Sequence, residues 1–263
     1  MHKTMDYSSF DNPMILSSLF HPRPDYGISA TSQYAKDLFI TVEDGVQLGA
    51  RFYSKDKNAA VILFFHGNGE IVSDYDDLSS VYLEKGINFM PVDYRGYGRS
   101  TGVPTVSKMM RDCHIVFQYV KKWLGDRGYG GSVFIMGRSL GSASALELAH
   151  NYEDEIHGII IESGFAYALP LLNKLGIDTQ ALGLQEEDGL RNIDKIRTVN
   201  KPALIIHAEN DHIIPLADGR TLFENCPSPD KKILIIPGAN HNTIFEYGLK
   251  EYMNAVKDFI ETS

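Results

Sequence analysis

A serine stands between two glycines at spacing two, Gly137-Arg138-Ser139-Leu140-Gly141, with the apolar run 132–136 before it and a helix-forming stretch, 142–150, after it. A serine hydroxyl is a weak nucleophile until a base takes its proton, and a sharp strand-to-helix turn is the setting that lifts it clear of a sheet edge. The glycines remove the Cβ atoms that would collide in so tight a turn. The base in turn needs a third group to fix its tautomer and orientation. In this setting the partners follow in the order serine, acid, histidine, each at a strand end. The run 203–207 leads into Ala208-Glu209-Asn210-Asp211, and the run 232–236 into Pro237-Gly238-Ala239-Asn240-His241. We therefore assign Ser139 as nucleophile, His241 as general base and then acid, and Asp211 as orienter of the imidazole. Glu209, Asp218 and Glu162 are the competing acids, the last because it too ends a strand-like run.

Acyl transfer also needs two backbone N–H groups aimed where negative charge develops. The N–H of Leu140, just after the serine, is one candidate. The second is the N–H of Asn68 in His66-Gly67-Asn68-Gly69, where the flanking glycines let the backbone approach a substrate. His66 itself reads as structural, its imidazole bonded to loop backbone. Arg138 either pairs with Glu162 or reaches an anionic substrate, and the pairing is the reading we adopt.

Other chemistries find less support. His207, Asp211 and His212 could suggest a metal site, but no zinc spacing accompanies them, so no metal is expected. Gly67-x-Gly69 and Gly96-x-Gly98 lack the third glycine of a dinucleotide loop, so no cofactor is expected. A net charge of −9 opposes binding to nucleic acid or an anionic membrane surface. No apolar run approaches the roughly 20 residues of a membrane-spanning helix, and the N-terminus lacks the apolar core of a signal peptide. With only two cysteines, Cys113 and Cys226, we expect buried thiols and a cytoplasmic protein rather than a disulfide framework. Nothing in the sequence fixes an oligomeric state.

The elements that must position these groups alternate. Runs 34–43 and 46–54 read as a hairpin about Asp44-Gly45. Strands are expected at 60–65, 88–93, 132–136, 157–162, 203–207 and 232–236, with helices near 76–85, 106–124, from Leu140, and 242–261. Such alternation predicts an α/β fold: a mostly parallel sheet with an antiparallel N-terminal hairpin and helices on both faces. Ligands then sit at the carboxyl ends of the strands, where every candidate residue falls. We expect an N-terminal arm over 1–33 and a single domain over 34–263. Residues 164–200, long for a connection and partly helix-compatible (168–175 and 185–196), read as a short cap insertion over the site.

Six stretches together resemble a known family: Phe65-His66-Gly67-Asn68-Gly69, Asp93-Tyr94-Arg95-Gly96-Tyr97-Gly98-Arg99-Ser100, Gly137-Arg138-Ser139-Leu140-Gly141, Glu162-Ser163-Gly164-Phe165, the run from His207 to Pro215, and Gly238-Ala239-Asn240-His241. The chain is similar to serine hydrolases of the α/β-hydrolase superfamily, and within it to the ABHD-like or serine-aminopeptidase-like branch. The resemblance implies the α/β-hydrolase fold and cleavage of a small-molecule ester or thioester through Ser139, Asp211 and His241. It also implies a structural role for the segment 93–100, whose tyrosines and arginines brace the floor of the site. Two rivals stand beside it. One is an aminopeptidase or amidase that anchors a substrate amine on cap acids such as Glu186, Glu187 and Asp188. The other is a binding protein that keeps the fold without turnover.

Overall fold

The computed structural model describes residues 5–27 and 32–263, so residues 1–4 and 28–31 of the expected arm lie outside the described residues. The strands are β1 (Ala35–Glu43), β2 (Val46–Tyr53), β3 (Val61–Phe65), β4 (Asn88–Val92), β5 (Val133–Arg138), β6 (Gly158–Glu162), β7 (Ala203–Ala208) and β8 (Lys231–Ile236). The helices are α1 (Pro13–Leu19), α2 (Asp76–Glu84), α3 (Val106–Asp126), α4 (Gly141–Asn151), α5 (Ala168–Lys174), α6 (Asn192–Ile196), α7 (Leu216–Asn225) and α8 (Ile244–Thr262). One sheet runs in the order β1-β2-β4-β3-β5-β6-β7-β8. The hairpin β1–β2 and the pair β2–β4 are antiparallel, and all later pairings are parallel. This is the α/β architecture expected from the alternation of runs.

The central strands are apolar at nearly every position because both faces are covered. Successive residues point to opposite sides. Val61, Leu63 and Phe65 of β3 join one core with residues of α3, α4, α6 and α7, while Ile62 and Phe64 join a second with residues of α2 and α8. Parallel register places Phe65 beside Gly137, Arg138 beside Glu162, and Glu162 beside Ile206. The carboxyl ends of β3, β5, β6 and β7 are thus brought level along one edge of the sheet.

Two stretches differ from the sequence expectation, while the arm holds the short helix that its apolar pieces allowed. Helix α7 fills a stretch for which none was expected. Residues 185–196 hold only a 3-10 turn, Glu186–Asp188, and α6, with Arg191 left-handed (φ 53°) between them. The arm contains α1, which Asn12 caps by accepting a hydrogen bond from the Met14 N–H, with Pro13 as the first helical residue. Ile15 and Leu19 of this helix are buried in the main core.

Candidate active site

The serine sits where β5 turns into α4. Ser139 has φ 51°, a left-handed backbone that costs a non-glycine residue about 1–3 kcal/mol. The turn is held by hydrogen bonds from Ser139 N to Glu162 O (2.9 Å) and from Ser142 N to Ser139 O (3.0 Å). The flanking glycines are sterically required. A Cβ on Gly137 would lie 2.2 Å from Gly141 O, and one on Gly141 would lie 2.1 Å from Phe65 O.

The loops after β7 and β8 bring the two other candidates to this serine. His241 Nε2 lies 3.0 Å from Ser139 Oγ, and His241 Nδ1 lies 2.7 Å from Asp211 Oδ2. The other oxygen of Asp211 accepts from the N–H groups of Ile213 (2.9 Å) and Ile214 (2.8 Å), which fixes the carboxylate plane. Burial works against the ionised form of Asp211, but His241 and these two N–H groups outweigh it and hold the carboxyl below its usual range. A carboxylate only accepts, so Nδ1 carries the imidazole proton and Nε2 is left to accept from the serine hydroxyl. All three side chains are buried.

The competing acids are engaged elsewhere. Glu209 accepts from Gly238 N (2.8 Å), Asp218 from Ala166 N (2.8 Å), and Glu162 from Arg138 Nε (3.0 Å) and the Tyr252 hydroxyl (2.7 Å). His207 faces the Ile214 carbonyl at 2.9 Å, and its imidazole is buried at 3.7 Å from Asp211. Both cysteines are buried and burial pushes both thiols up.

The loop after β3 lies across the same strand ends. Among the described residues, neither the Asn68 N–H nor the Leu140 N–H donates to a protein acceptor, and both residues line the cavity above Ser139. His66 has the structural role expected of it, with Nδ1 2.8 Å from Gly67 O. From the segment 93–100, the Tyr94 hydroxyl donates to His66 O (2.6 Å) and the Tyr97 hydroxyl to Asn68 Oδ1 (2.7 Å). Arg95 pairs with the buried Asp112 at 2.6 Å and with Glu43 at 2.7 Å.

Arg138 pairs with Glu162, as the sequence suggested, and also with a residue the sequence did not single out. Its guanidinium contacts Glu70 and donates Nη2 to the His241 carbonyl at 2.7 Å. Glu70 in turn accepts from Gly67 N (2.6 Å) and the Tyr75 hydroxyl (2.6 Å). One buried arginine thus ties the strand that carries Ser139, the β3 loop and the backbone of His241 together. Burial raises the carboxyl of Glu162 above its ordinary range, against the pull of Arg138. Burial also opposes ionisation of Glu70, but there Arg138, Tyr75 and the Gly67 N–H prevail and lower it. Nothing local in the sequence marks Glu70, because its partner is 68 positions away.

A cavity of about 280 Å³ opens over Ser139. Its apolar wall is Leu19, Leu140, Leu171, Leu175, Ile213 and Ile214, and Ser18 and His21 of the arm reach it as well. Among the described residues, no helix is long and apolar enough to cross a membrane.

The sheet order and the strand–turn–helix serine define an α/β-hydrolase. Residues 56–176 and 187–248 match the family described as serine aminopeptidase, S33, and the chain belongs to that family of hydrolases. It is 32% identical over 247 residues to alpha/beta hydrolase domain-containing protein 17B of Homo sapiens, covering 90% of this chain and 80% of that one. It is also 25% identical over 266 residues to the uncharacterized protein YfhR of Salmonella typhi, covering 95% and 90%. Among solved structures, esterase Pf2001 of Pyrococcus furiosus aligns with a TM-score of 0.73 at 18% identity, covering 92% of this chain and 98% of that one. Est1E of Butyrivibrio proteoclasticus with bound ferulic acid aligns at 0.70 and 21%, covering 86% and 98%. At these identities the two structures speak for the fold alone.

Proposed function

We propose that the chain hydrolyses a carboxylic ester or thioester through an acyl-enzyme on Ser139. The observation that carries this reading is the placement of His241, within 3.0 Å of the serine oxygen on one side and 2.7 Å of Asp211 on the other. His241 Nε2 takes the hydroxyl proton as Oγ attacks the carbonyl carbon. The N–H groups of Asn68 and Leu140, without protein acceptors among the described residues, receive the oxyanion. His241 then protonates the leaving oxygen or sulfur, activates water, and the acid is released with Ser139 restored. Residues 164–200 act in this reading as a short cap on the single domain 34–263, with Leu171 and Leu175 closing the acyl side of the cavity.

An aminopeptidase would need a carboxylate facing the cavity to hold the substrate amine. Glu186, in the expected cap cluster, instead accepts the Leu169 N–H at 3.0 Å and the Ala168 N–H at the start of α5. Glu70 is the carboxylate on the cavity wall, and it is neutralised by Arg138. Ester or thioester cleavage fits this lining better. The cavity is near the small end of the roughly 300–1,000 Å³ common for ligand pockets, which favours short and medium acyl groups.

The test is labelling with a fluorophosphonate probe and a p-nitrophenyl ester series from acetate to palmitate, with Ser139→Ala alongside. We expect labelling at Ser139, turnover that falls toward palmitate, and loss of both in the variant with folding retained. Wild-type turnover in Ser139→Ala would overturn the reading. Labelling without ester turnover would redirect it to thioesters and aminoacyl amides.

A further inference from the structure

The proline-rich end of the arm, Phe20-His21-Pro22-Arg23-Pro24-Asp25, crosses the two loops that follow β3 and β4. It joins the β4 loop by backbone pairing: Gly98 N donates to Arg23 O (2.8 Å) and Asp25 N to Gly98 O (2.9 Å). It joins the β3 loop at Asn68 and Gly69. His21 N lies 2.8 Å from Asn68 Oδ1 and 2.7 Å from the Tyr97 hydroxyl oxygen, which itself donates to Asn68 Oδ1. Arg23 Nε donates to Gly69 O at 3.2 Å, and the same guanidinium pairs with Asp74.

These contacts orient the Asn68 amide. A backbone N–H can only donate, so the Asn68 atom facing His21 N is oxygen. Its nitrogen, Nδ2, therefore faces His21 Nδ1 at 2.8 Å and donates to it. His21, Asn68 and Tyr97 close a ring of hydrogen bonds drawn from three separate segments. Between two glycines, Asn68 would otherwise sit on a backbone with wide conformational freedom. Two prolines stiffen the strap that restrains it, so little further ordering is needed.

We infer that this strap belongs to the catalytic apparatus, with His21 and Arg23 as positioning residues that hold the Asn68 N–H where the oxyanion forms. The inference rests on the reading of Asn68 as an oxyanion donor. It gives the arm a part in turnover that the fold alone does not require. Neither side chain touches the reacting atoms in this role; each acts through the β3 loop.

The experiment is steady-state ester hydrolysis by the full chain carrying His21→Ala, His21→Asn or Arg23→Ala, with Ser139→Ala as reference and thermal melts throughout. His21 and Arg23 are exposed, so their truncation leaves the core intact. A shift of about 1 Å in a catalytic group can cost up to roughly 100-fold, so His21→Ala should lower kcat about tenfold with KM changed less than about twofold. His21→Asn, whose Oδ1 can accept in place of Nδ1, should stay within about threefold of the parent. Arg23→Ala should lower kcat in the same direction and gives the reading if His21→Ala melts early. Parental kcat in both alanine variants, with Ser139→Ala inactive, would overturn the strap and leave the hydrolase reading standing. Activity in Ser139→Ala would overturn the hydrolase reading, and the strap with it.

Discussion

At the scale of single residues, the identity of the acid is the assignment that chemistry can test most directly. Glu162 ends β6 and Asp211 sits in the loop after β7, both near Ser139, yet their surroundings differ. The Asp211 carboxyl is held below its usual range and faces Nδ1 of His241, whereas Glu162 is raised by burial and accepts from Arg138 and Tyr252. Asp211→Asn keeps the shape but offers a donor to Nδ1, which favours the wrong imidazole tautomer. Turnover should fall about 10³–10⁴-fold with KM little changed. Glu162→Gln leaves that contact intact, so it should act by loosening the Arg138 network and cost about tenfold or less. Comparing kcat of the two variants on one short-chain ester decides the matter. A larger loss in Glu162→Gln would move the orienting role to Glu162.

At the scale of elements, the sequence disclosed what is periodic and hid what is made of isolated long-range contacts. The parallel strands were legible because each is a short, largely apolar run followed by glycine or polar residues. Ser139, Asp211 and His241 were legible because the fold places each at such an end. Helix α7 was not, because Asp218-Gly219-Arg220 at its centre reads as a turn and only Gly219 and Leu222 are buried. The strap over the β3 loop carries no periodicity and binds largely through backbone groups, so composition says nothing of it. Glu70 was missed because its charged partner, Arg138, lies 68 positions along the chain. For 164–200, the expectation of helix-compatible pieces fits α5 but overstates 185–196. The role proposed for α5 makes its own prediction. Leu171 lines the cavity over Ser139, and Leu171→Trp would fill part of it. Since a methylene in such a pocket is worth about 10–200-fold in discrimination, kcat/KM for the longest accepted ester should fall at least about tenfold while acetate changes little. A uniform change across the ester series would remove Leu171 from the acyl wall.

At the scale of the whole molecule, the arm is also anchored by an ionic cluster that joins it to α3, α4 and α6. Glu147 lies 2.7 Å from Lys195 Nζ and 3.0 Å from His114 Nε2, and it accepts from the Tyr7 hydroxyl at 2.6 Å. Lys195 is fully buried. Burial pushes the Glu147 carboxyl up, but His114, Lys195 and Tyr7 outweigh it and hold it far below the usual carboxylate range. A carboxyl lowered in the folded state stabilises the protein above its unfolded value, near 4.3, and that contribution is lost as the pH falls through the folded value. Asp211 and Glu70 act in the same direction, while the raised Glu162 acts in the opposite one. Glu147→Gln leaves a buried ammonium without its counter-charge, which should cost about 3–5 kcal/mol in urea unfolding at neutral pH. Adding Lys195→Met should restore most of that loss, because an apolar side chain of similar volume needs no partner. Since one unit of pKa difference is worth about 1.4 kcal/mol, the gap between parent and Glu147→Gln should narrow by about 1–2 kcal/mol near pH 3. A gap of the same size at both pH values would mean that packing, and not the charge of Glu147, holds the arm to the body.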